Sequence, residues 1–337
     1  MAQSDSLPWH QPVWEQLAGC RRLGRVPHAI AVTGNIGLGK SGLAARFARS
    51  LLCSSPMPSG DGCGHCRGCG LQAAGSHPDY YAVHPPESGT SGSIKIEQIR
   101  QLTEFLMRSS QYGGYRVALL DPAESMTLAA ANSLLKTLEE PPPAAVLMLV
   151  AGQLSQLPAT LRSRCRLIQL QSPPAALAHE WLAGHYPDAI GLLALAGGAP
   201  LRAIAYAQAG VGKQFAALVA DLMAIARGRQ SPVVTAQGWL GTGLRPWIEL
   251  LQLVLAELAR QAITNCDAAR ICGIADLQAL SRAIDYPRLH DYMEKVIAIR
   301  RVIEQPLNEQ LVIEDLLIGW RKATSSRHGD QGGGEDT

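Results

Sequence analysis

Two different patterns of apolar and polar residues divide the chain. Up to about residue 170, short apolar runs alternate with segments whose apolar residues recur at helical spacing. The strand-like runs are 28–33, 80–83, 115–120, 145–150 and 166–170, and the helical segments between them are 39–53, 94–109 and 128–140. Alternation of this kind predicts an α/β fold with a mostly parallel sheet that is covered by helices on both faces.

The pattern changes after Ser172-Pro173-Pro174, beyond which only helical spacing recurs. Helices are predicted at 175–185, 188–196, 200–209, 213–227, 246–264, 277–283 and 287–302. The end of the chain is glycine-rich and polar, which is typical of a disordered tail. The sequence therefore predicts an α/β module at 1–172, helical segments at 173–210 and 211–322, and a tail at 323–337.

Composition excludes several classes of protein. The 337 residues suit two or three domains, and the 47% of hydrophobic residues can build sizeable cores. A net charge of +2 does not indicate a highly basic nucleic-acid-binding protein. No uncharged apolar run reaches the roughly eighteen residues of a membrane span, and the first residues lack a secretory pattern. We therefore expect a cytoplasmic protein whose eight cysteines are thiols or metal ligands.

The segment Gly34-x-x-x-x-Gly39-Lys40-Ser41 matches the phosphate-binding P-loop completely. It follows a predicted strand and opens a predicted helix, which is the context that this motif requires. Glycines, here including Gly37, let backbone N–H groups point at phosphate oxygens beside the positive end of the helix dipole. Lys40 is predicted to reach the phosphates of ATP or ADP, and Ser41 to hold Mg²⁺. The alternative is a glycine-rich turn that binds nothing.

Asp121 ends the third predicted strand, where an acidic residue of a P-loop protein helps to hold Mg²⁺. Hydrolysis also needs a group that orients or deprotonates the attacking water, and its usual place is the next residue. That residue is Pro122, which has no such group. Glu124 lies three residues after Asp121, beyond a backbone that the proline restricts. The alternative for Asp121 is a turn or capping residue, a common role of Asp-Pro.

Three arginines lie in the segment 161–166, just before the last predicted strand: Arg162, Arg164 and Arg166. One of them could stabilise the charge on a phosphate that is transferred in a neighbouring subunit. From this pattern alone, ordinary surface arginines are the better interpretation.

The cysteine spacing predicts a metal site. Cys63-x-x-Cys66-x-x-Cys69 lies in a glycine-rich stretch, and Cys53 stands at the end of the helix after the P-loop. Four thiolates form a closed tetrahedral Zn²⁺ site of the structural kind. His65 and His77 are candidate substitutes for one cysteine. The alternatives are four reduced thiols without metal and, less favoured, an iron–sulfur cluster.

These residues resemble the delta-prime family of subunits of the bacterial DNA polymerase III clamp loader. The resemblance rests on the segments CGHCRGCGLQAAGSHPDYY, NSLLKTLEEPP and LPATLRSRCR, together with an all-helical C-terminal region. With the P-loop it covers residues 5–205 well, whereas the C-terminal third matches in helical character alone. It implies an AAA+ module at 1–172 with a zinc insertion at about 53–70, a helical lid at 173–210 and a helical collar at 211–322.

The resemblance also implies partners and roles. The family's subunit assembles with one delta and three gamma/tau subunits in a pentameric ring, and this ring loads the sliding clamp onto primed DNA. It is part of the DNA polymerase III holoenzyme and has no polymerase chemistry of its own. By this resemblance Arg164 is an arginine finger that is offered to the ATP of a neighbouring gamma/tau subunit. Cys53, Cys63, Cys66 and Cys69 are implied to hold the zinc.

The nucleotide site combines retained and missing parts. Some members of this family have lost the P-loop, whereas this chain keeps it, and Arg202 stands where related ATPases have a second nucleotide-sensing arginine. However, Pro122 replaces the hydrolytic glutamate, and Ala151-Gly152 replaces the polar residue expected after the fourth strand. The sequence therefore predicts that ATP or ADP binds and is hydrolysed slowly or not at all.

Two other functions are compatible with the sequence. An active gamma/tau-type ATPase would have the same fold, but Pro122 and the missing sensor residue argue against it. A stand-alone P-loop enzyme would leave the cysteine cluster and the helical C-terminal region unexplained. For the DNA backbone, the candidate contacts are Arg100, Arg108 and Arg116, and solvated helix faces are an interpretation that is at least as good.

Overall fold

The computed structural model describes residues 6–86, 92–264, 277, 279–281, 284, 286–303, 305 and 307–325. The chain divides into two compact units. The first consists of Met1–Leu182 and Gly198–Arg202, and the second of Ala183–Gly197 and Ala203–Thr337. The finer division into module, lid, collar and tail stays a prediction.

The first unit is built on a parallel sheet, which confirms the predicted α/β class. Its strands are β1 Ala29–Thr33, β2 Tyr80–Val83, β3 Arg116–Leu120, β4 Ala145–Ala151 and β5 Arg166–Gln169. Over the described residues, these five strands pair in parallel in the order β2-β3-β4-β1-β5. Strands β1, β3 and β4 are buried along their whole length, which explains why they read as continuous apolar runs.

Helices cover both faces of this sheet. The α-helices up to residue 185 are α1 Gln11–Arg22, α2 Lys40–Leu52, α3 Arg67–Ala73, α4 Ile96–Met107, α5 Leu128–Glu139, α6 Ala159–Arg162 and α7 Ala175–His185, the last of which ends in the second unit. Successive strand residues face opposite sides, so Val117 contributes to one core with Trp14 and Phe47, while Ala118 joins Leu102 in the other. The apolar pattern did not predict α1, α3 or α6.

Over its described residues, the secondary structure of the second unit consists of helices joined by turns and loops. From residue 187 onwards, the described helices include two 3₁₀ helices, Pro187–Leu192 and Leu240–Thr242. The α-helices among them are α8 Pro200–Gln208, α9 Val211–Ala226, α10 Pro232–Trp239, α11 Leu244–Thr264, α12 Tyr286–Arg301 and α13 Glu309–Thr324. Buried aromatic side chains connect these helices by hydrogen bonds. Trp320 Nε1 donates to the Leu222 carbonyl at 2.9 Å, and Tyr292 Oη donates to the Leu316 carbonyl at 2.8 Å.

Several predicted helices differ from the observed ones. The segment 188–196 forms the short 3₁₀ helix rather than an α-helix, and α10 and α13 were not among the predicted helices. The predicted helix 277–283 and tail 323–337 lie largely outside the described residues, although α13 extends to Thr324. Among the described helices, none alone is long and apolar enough to span a membrane, and one bent pair, α8 with α9, reaches that length and composition.

Candidate functional site

The candidate nucleotide site lies at the carboxyl edge of the parallel sheet, where such folds commonly bind ligands. The P-loop follows β1, Asp121 follows β3, and Gly152 follows β4. Because β4 lies between β1 and β3, these three segments lie side by side along the same edge. The strand order therefore brings together parts of the site that are distant in the sequence.

Close packing dictates two glycines of the P-loop. Gly34, at φ 146°, has the Leu170 carbonyl oxygen 2.4 Å from the position that a Cβ would occupy. At Gly37, with φ 86°, an added Cβ would lie 2.4 Å from Arg202 Cβ. The Leu201 amide also donates to the Gly37 carbonyl at 3.1 Å. The start of α8, with Arg202, thus packs directly on the P-loop.

Lys40 and Ser41 open α2 immediately after Gly39, whose φ is 81°. Lys40 Nζ donates to the carbonyl oxygens of Gly34 and Asn35 at 2.8 and 2.9 Å. Burial lowers the pKa of Lys40, and the nearby carboxylates of Glu124 and Asp121 act in the opposite direction. The Lys40 amine therefore lies against the P-loop backbone and interacts electrostatically with both carboxylates. Ser41, the next residue, is exposed.

A chain of hydrogen bonds joins the ends of the three strands. Glu124 Oε1 accepts from the Gly152 amide at 2.9 Å, and the Gly152 carbonyl accepts from the Gly34 amide at 3.3 Å. The partly buried Asp121 stands two residues before the short 3₁₀ helix Ala123–Ser125, which carries Glu124. The position after Asp121 is the apolar ring of Pro122, so no carboxylate follows Asp121 directly. The sequence did not predict this use of Glu124 and Gly152.

The N-terminal segment packs against the P-loop, which the sequence did not predict either. Trp9 Nε1 and His10 Nε2 both donate to the Leu38 carbonyl, at 2.9 and 2.7 Å. The His10 ring is almost fully buried, and this burial lowers its pKa. A neutral ring with its proton on Nε2 fits this bond, because a carbonyl oxygen can only accept. The one available signal was the Pro-Trp-His segment itself, since proline favours the start of a helical turn.

The four predicted zinc ligands come together. The Sγ atoms of Cys53, Cys63, Cys66 and Cys69 all lie within 4.8 Å of one another. Backbone amides within the cluster point at sulfur: Cys63 N donates to Cys53 Sγ at 3.2 Å, and Cys66 N donates to Cys63 Sγ at 3.3 Å. Cys53 caps α2, and Cys66 caps α3. Two helix ends and one tight loop therefore converge on a single point.

The chemistry of this cluster fits a dication. Four sulfur donors satisfy a closed tetrahedral Zn²⁺ site. Burial raises the pKa of Cys69 to about 12. Burial also acts to raise the pKa of Cys66, but hydrogen bonds from the backbone amides and side chains of Cys69 and Ser54 outweigh it and lower that pKa to about 5. The thiols alone therefore resist joint ionisation, and a bound dication would supply the missing positive charge.

Neither histidine belongs to this group of ligands. His65 is exposed, and its Nδ1 donates to the Cys63 carbonyl at 2.9 Å. His77 is buried, and its Nδ1 accepts from the Asp79 amide at 3.1 Å. The insertion is also fastened to α2, because Arg46 donates twice to Asp61, at 2.6 and 2.9 Å.

Arg164 lies beyond α6 and is partly exposed. Its Nη2 atom lies 2.6 Å from Glu139 Oε1, and Nη1 donates to the Thr160 carbonyl at 3.1 Å and to Ser163 Oγ at 3.2 Å. Arg166 is exposed on β5. The guanidinium of Arg164 is thus fixed on the surface by acceptors from two helix ends.

One candidate for DNA contact is corrected. Arg116 is buried: its guanidinium lies over the Phe105 ring at 4.2 Å and donates to the Ser109 carbonyl at 2.6 Å. It therefore supports the turn before β3 and offers no surface to a phosphate backbone. Arg100 and Arg108 are exposed.

Comparison with known proteins gives consistent matches. The family model described as "DNA polymerase III, delta subunit" matches residues 9–174. DNA polymerase III subunit delta' from Pseudomonas aeruginosa is 35% identical over an alignment of 331 positions, which covers 94% of this chain and 98% of that protein. DNA polymerase III subunit delta' from Escherichia coli is 40% identical over 205 residues, 60% of each protein.

Among solved structures, a DNA polymerase III gamma subunit-related protein from Thermotoga maritima aligns with a TM-score of 0.46 and 18% identity. The alignment covers 92% of this chain and 100% of that one. A similarity of this size carries no functional information.

Proposed function

The chain belongs to the delta-prime family of DNA polymerase III subunits, and from that premise we propose how it works. It is a clamp-loader subunit that joins delta and gamma/tau subunits in a hetero-pentameric ring. This ring places the sliding clamp on primed DNA, which it contacts through the phosphate backbone without reading sequence. Within it, the subunit binds a nucleotide that it barely hydrolyses and lends Arg164 to a neighbour that hydrolyses its own.

One observation carries the nucleotide half of this proposal: a complete P-loop lies beside a strand end that lacks a catalytic acid. The backbone amides of the loop, Lys40 and Ser41 would hold the phosphates of ATP or ADP and the accompanying Mg²⁺. Asp121 lies at the edge where a carboxylate would support that ion. Arg202, whose backbone packs on Gly37, is in reach of the same loop.

Slow hydrolysis follows from the residues around this loop. The attacking water must be oriented or deprotonated, and Pro122 cannot do either. Glu124, the other acid at this edge, already binds the Gly152 amide through Oε1. Gly152 itself contributes a backbone amide where a polar side chain was expected. An active gamma/tau-type motor would need an acid directly after Asp121, where this chain has Pro122.

The second half of the proposal concerns Arg164. In the neighbouring site, water attacks the γ-phosphorus while the bond to the β–γ bridging oxygen breaks, which gives ADP and phosphate. Negative charge on the transferred group is stabilised by an arginine supplied in trans, an effect of about 10³ to 10⁵ in rate. Arg164 supports this role because it is partly exposed and held in a fixed orientation.

The cysteine cluster is assigned a structural role. Cys53, Cys63, Cys66 and Cys69 would hold one Zn²⁺ with no ligand position left for a substrate. The site would fasten the insertion that follows α2 and so fix the course of the chain into β2.

The trans role is tested in a reconstituted pentamer whose gamma/tau subunits carry alanine at their own finger arginine. In that complex, the only ATP site that still receives an arginine from an adjacent subunit is the one next to this chain, and that arginine is Arg164. Arg164→Ala should lower its DNA-stimulated ATP turnover by about 10³-fold or more. Arg166→Ala removes a nearby exposed arginine and should leave turnover unchanged. Equal turnover with Arg164→Ala and the unchanged chain would refute the proposed finger.

A further inference from the structure

Arg164 is anchored by three acceptors of its own chain. Glu139 Oε1 lies 2.6 Å from Nη2, while the Thr160 carbonyl and Ser163 Oγ lie 3.1 and 3.2 Å from Nη1. Glu139 is the last residue of α5, and Thr160 belongs to α6. The guanidinium therefore bridges two helix ends that are connected through β4.

This anchoring still leaves the arginine able to bind a further anion. A guanidinium has five N–H donors. Among the described residues, the hydrogen bonds to Glu139, Thr160 and Ser163 use three of them. Side-chain exposure is 36% for Arg164 and 52% for Glu139, so the pair stays open to solvent. The arrangement holds the side chain in one orientation without hiding it.

The carboxylate contributes to orientation far more than to stability. An exposed ion pair contributes little to folding stability. When the end of a long arginine side chain is fixed, the side chain loses rotamer freedom. Here that loss occurs on folding, so it does not have to occur when the partner's phosphate binds. Misplacement of a catalytic group by 1 Å can cost about a hundredfold in rate. The contact of Glu139 with Arg164 thus contributes little to folding stability but can have a large effect on the rate of ATP hydrolysis.

We propose that Glu139 is a positioning residue for Arg164, so that the guanidinium meets the neighbouring subunit's ATP already oriented. This inference rests on the proposed trans role of Arg164. It extends that role, because it adds a second residue of this chain that controls hydrolysis on another chain without touching the nucleotide.

The test uses the reconstituted pentamer in which only the site served by this chain has a finger in trans. Glu139→Ala should lower kcat about ten- to hundredfold and leave KM for ATP unchanged, because the residues that bind that ATP belong to the neighbour. Glu139→Gln keeps a hydrogen-bond acceptor at the same place and should recover part of the loss. Glu140→Ala is the matched control, since it removes the same charge from the same end of α5.

A double substitution separates positioning from other effects. In the Arg164→Ala background, Glu139→Ala should cause no further loss of kcat. A further loss there, or an unchanged or higher kcat with Glu139→Ala alone, would overturn the role of Glu139 while leaving Arg164 as the finger. An unchanged kcat with Arg164→Ala would overturn both proposals. Thermal unfolding and the assembly state of each variant complex show that it is folded and assembled.

Discussion

Glu124 and Gly152 are joined by a hydrogen bond of 2.9 Å between a carboxylate oxygen and a backbone amide. The carbonyl of the same glycine accepts from the Gly34 amide at 3.3 Å. One glycine therefore connects the acid after β3 to the first residue of the P-loop. Glu124 thus supports the P-loop through Gly152, and this structural role agrees with the proposal that the site binds a nucleotide without cleaving it.

This bond predicts different outcomes for two substitutions of Glu124. Glu124→Ala leaves the amide of Gly152 without its acceptor and should lower the free energy of unfolding by about 1–3 kcal/mol. Glu124→Gln retains an oxygen acceptor and should cost clearly less. Urea denaturation measures both. Equal losses for the two variants would show that the bond does not contribute to stability.

Nucleotide affinity should depend on Lys40. A hydrogen bond to a charged group contributes about 1.5–3 kcal/mol, so Lys40→Ala should raise the Kd for ATP about ten- to hundredfold. Lys136→Ala, which removes an exposed lysine of α5, is the control and should bind as the unchanged chain does. Titration calorimetry on the isolated chain gives both constants. If Lys40→Ala binds ATP normally, the P-loop is not the nucleotide site.

The zinc assignment predicts a dependence on one thiol and not on another. The purified chain should contain about one Zn²⁺, and Cys69→Ser should lose most of it together with thermal stability. Cys20→Ser should keep its metal, because Cys20 lies on α1 and is not part of the cluster. Elemental analysis decides the matter. Iron in place of zinc, or full zinc content in Cys69→Ser, would contradict the assignment.

Stability should fall in mild acid because of His10. Burial holds its pKa in the folded chain below the ordinary value of 6.5, so the unfolded chain binds more protons below that pH. The contribution of His10 is therefore complete above pH 6.5 and is lost as the pH falls towards the folded-state pKa. His10→Gln cannot titrate and should show a shallower decline in unfolding free energy between about pH 7 and 5. Identical slopes would show that His10 does not titrate in this way.

The fold was largely predictable, for reasons that particular residues make clear. Val117 to Leu120 are buried on both faces of the sheet and so form a continuous apolar run, and α4 repeats Ile99, Leu102 and Leu106 on one face. Helix α1 buries only a few residues, among them Trp14 and Leu17, in a mostly polar segment, and gives no comparable pattern.

The site was predictable in its motifs and not in its contacts. The P-loop and the cysteines are local spacings, which a sequence shows directly. The bond from Glu124 to Gly152 spans 28 residues, and the pair of Arg164 with Glu139 spans 25. Both depend on how strands and helix ends are placed beside each other. Arg116 was misjudged for the same reason, since its burial comes from Phe105 and the turn at Ser109.

We propose above all that this subunit binds ATP and hydrolyses it slowly or not at all. The most direct measurement mixes the isolated chain with radiolabelled ATP and follows the bound nucleotide over time by chromatography. About one nucleotide should be bound per chain, and its turnover should be on the order of 10⁻⁴ per second or slower, as in a site without an arginine finger. Turnover near 1 per second, the range of ordinary enzymes, or no bound nucleotide at all would contradict it.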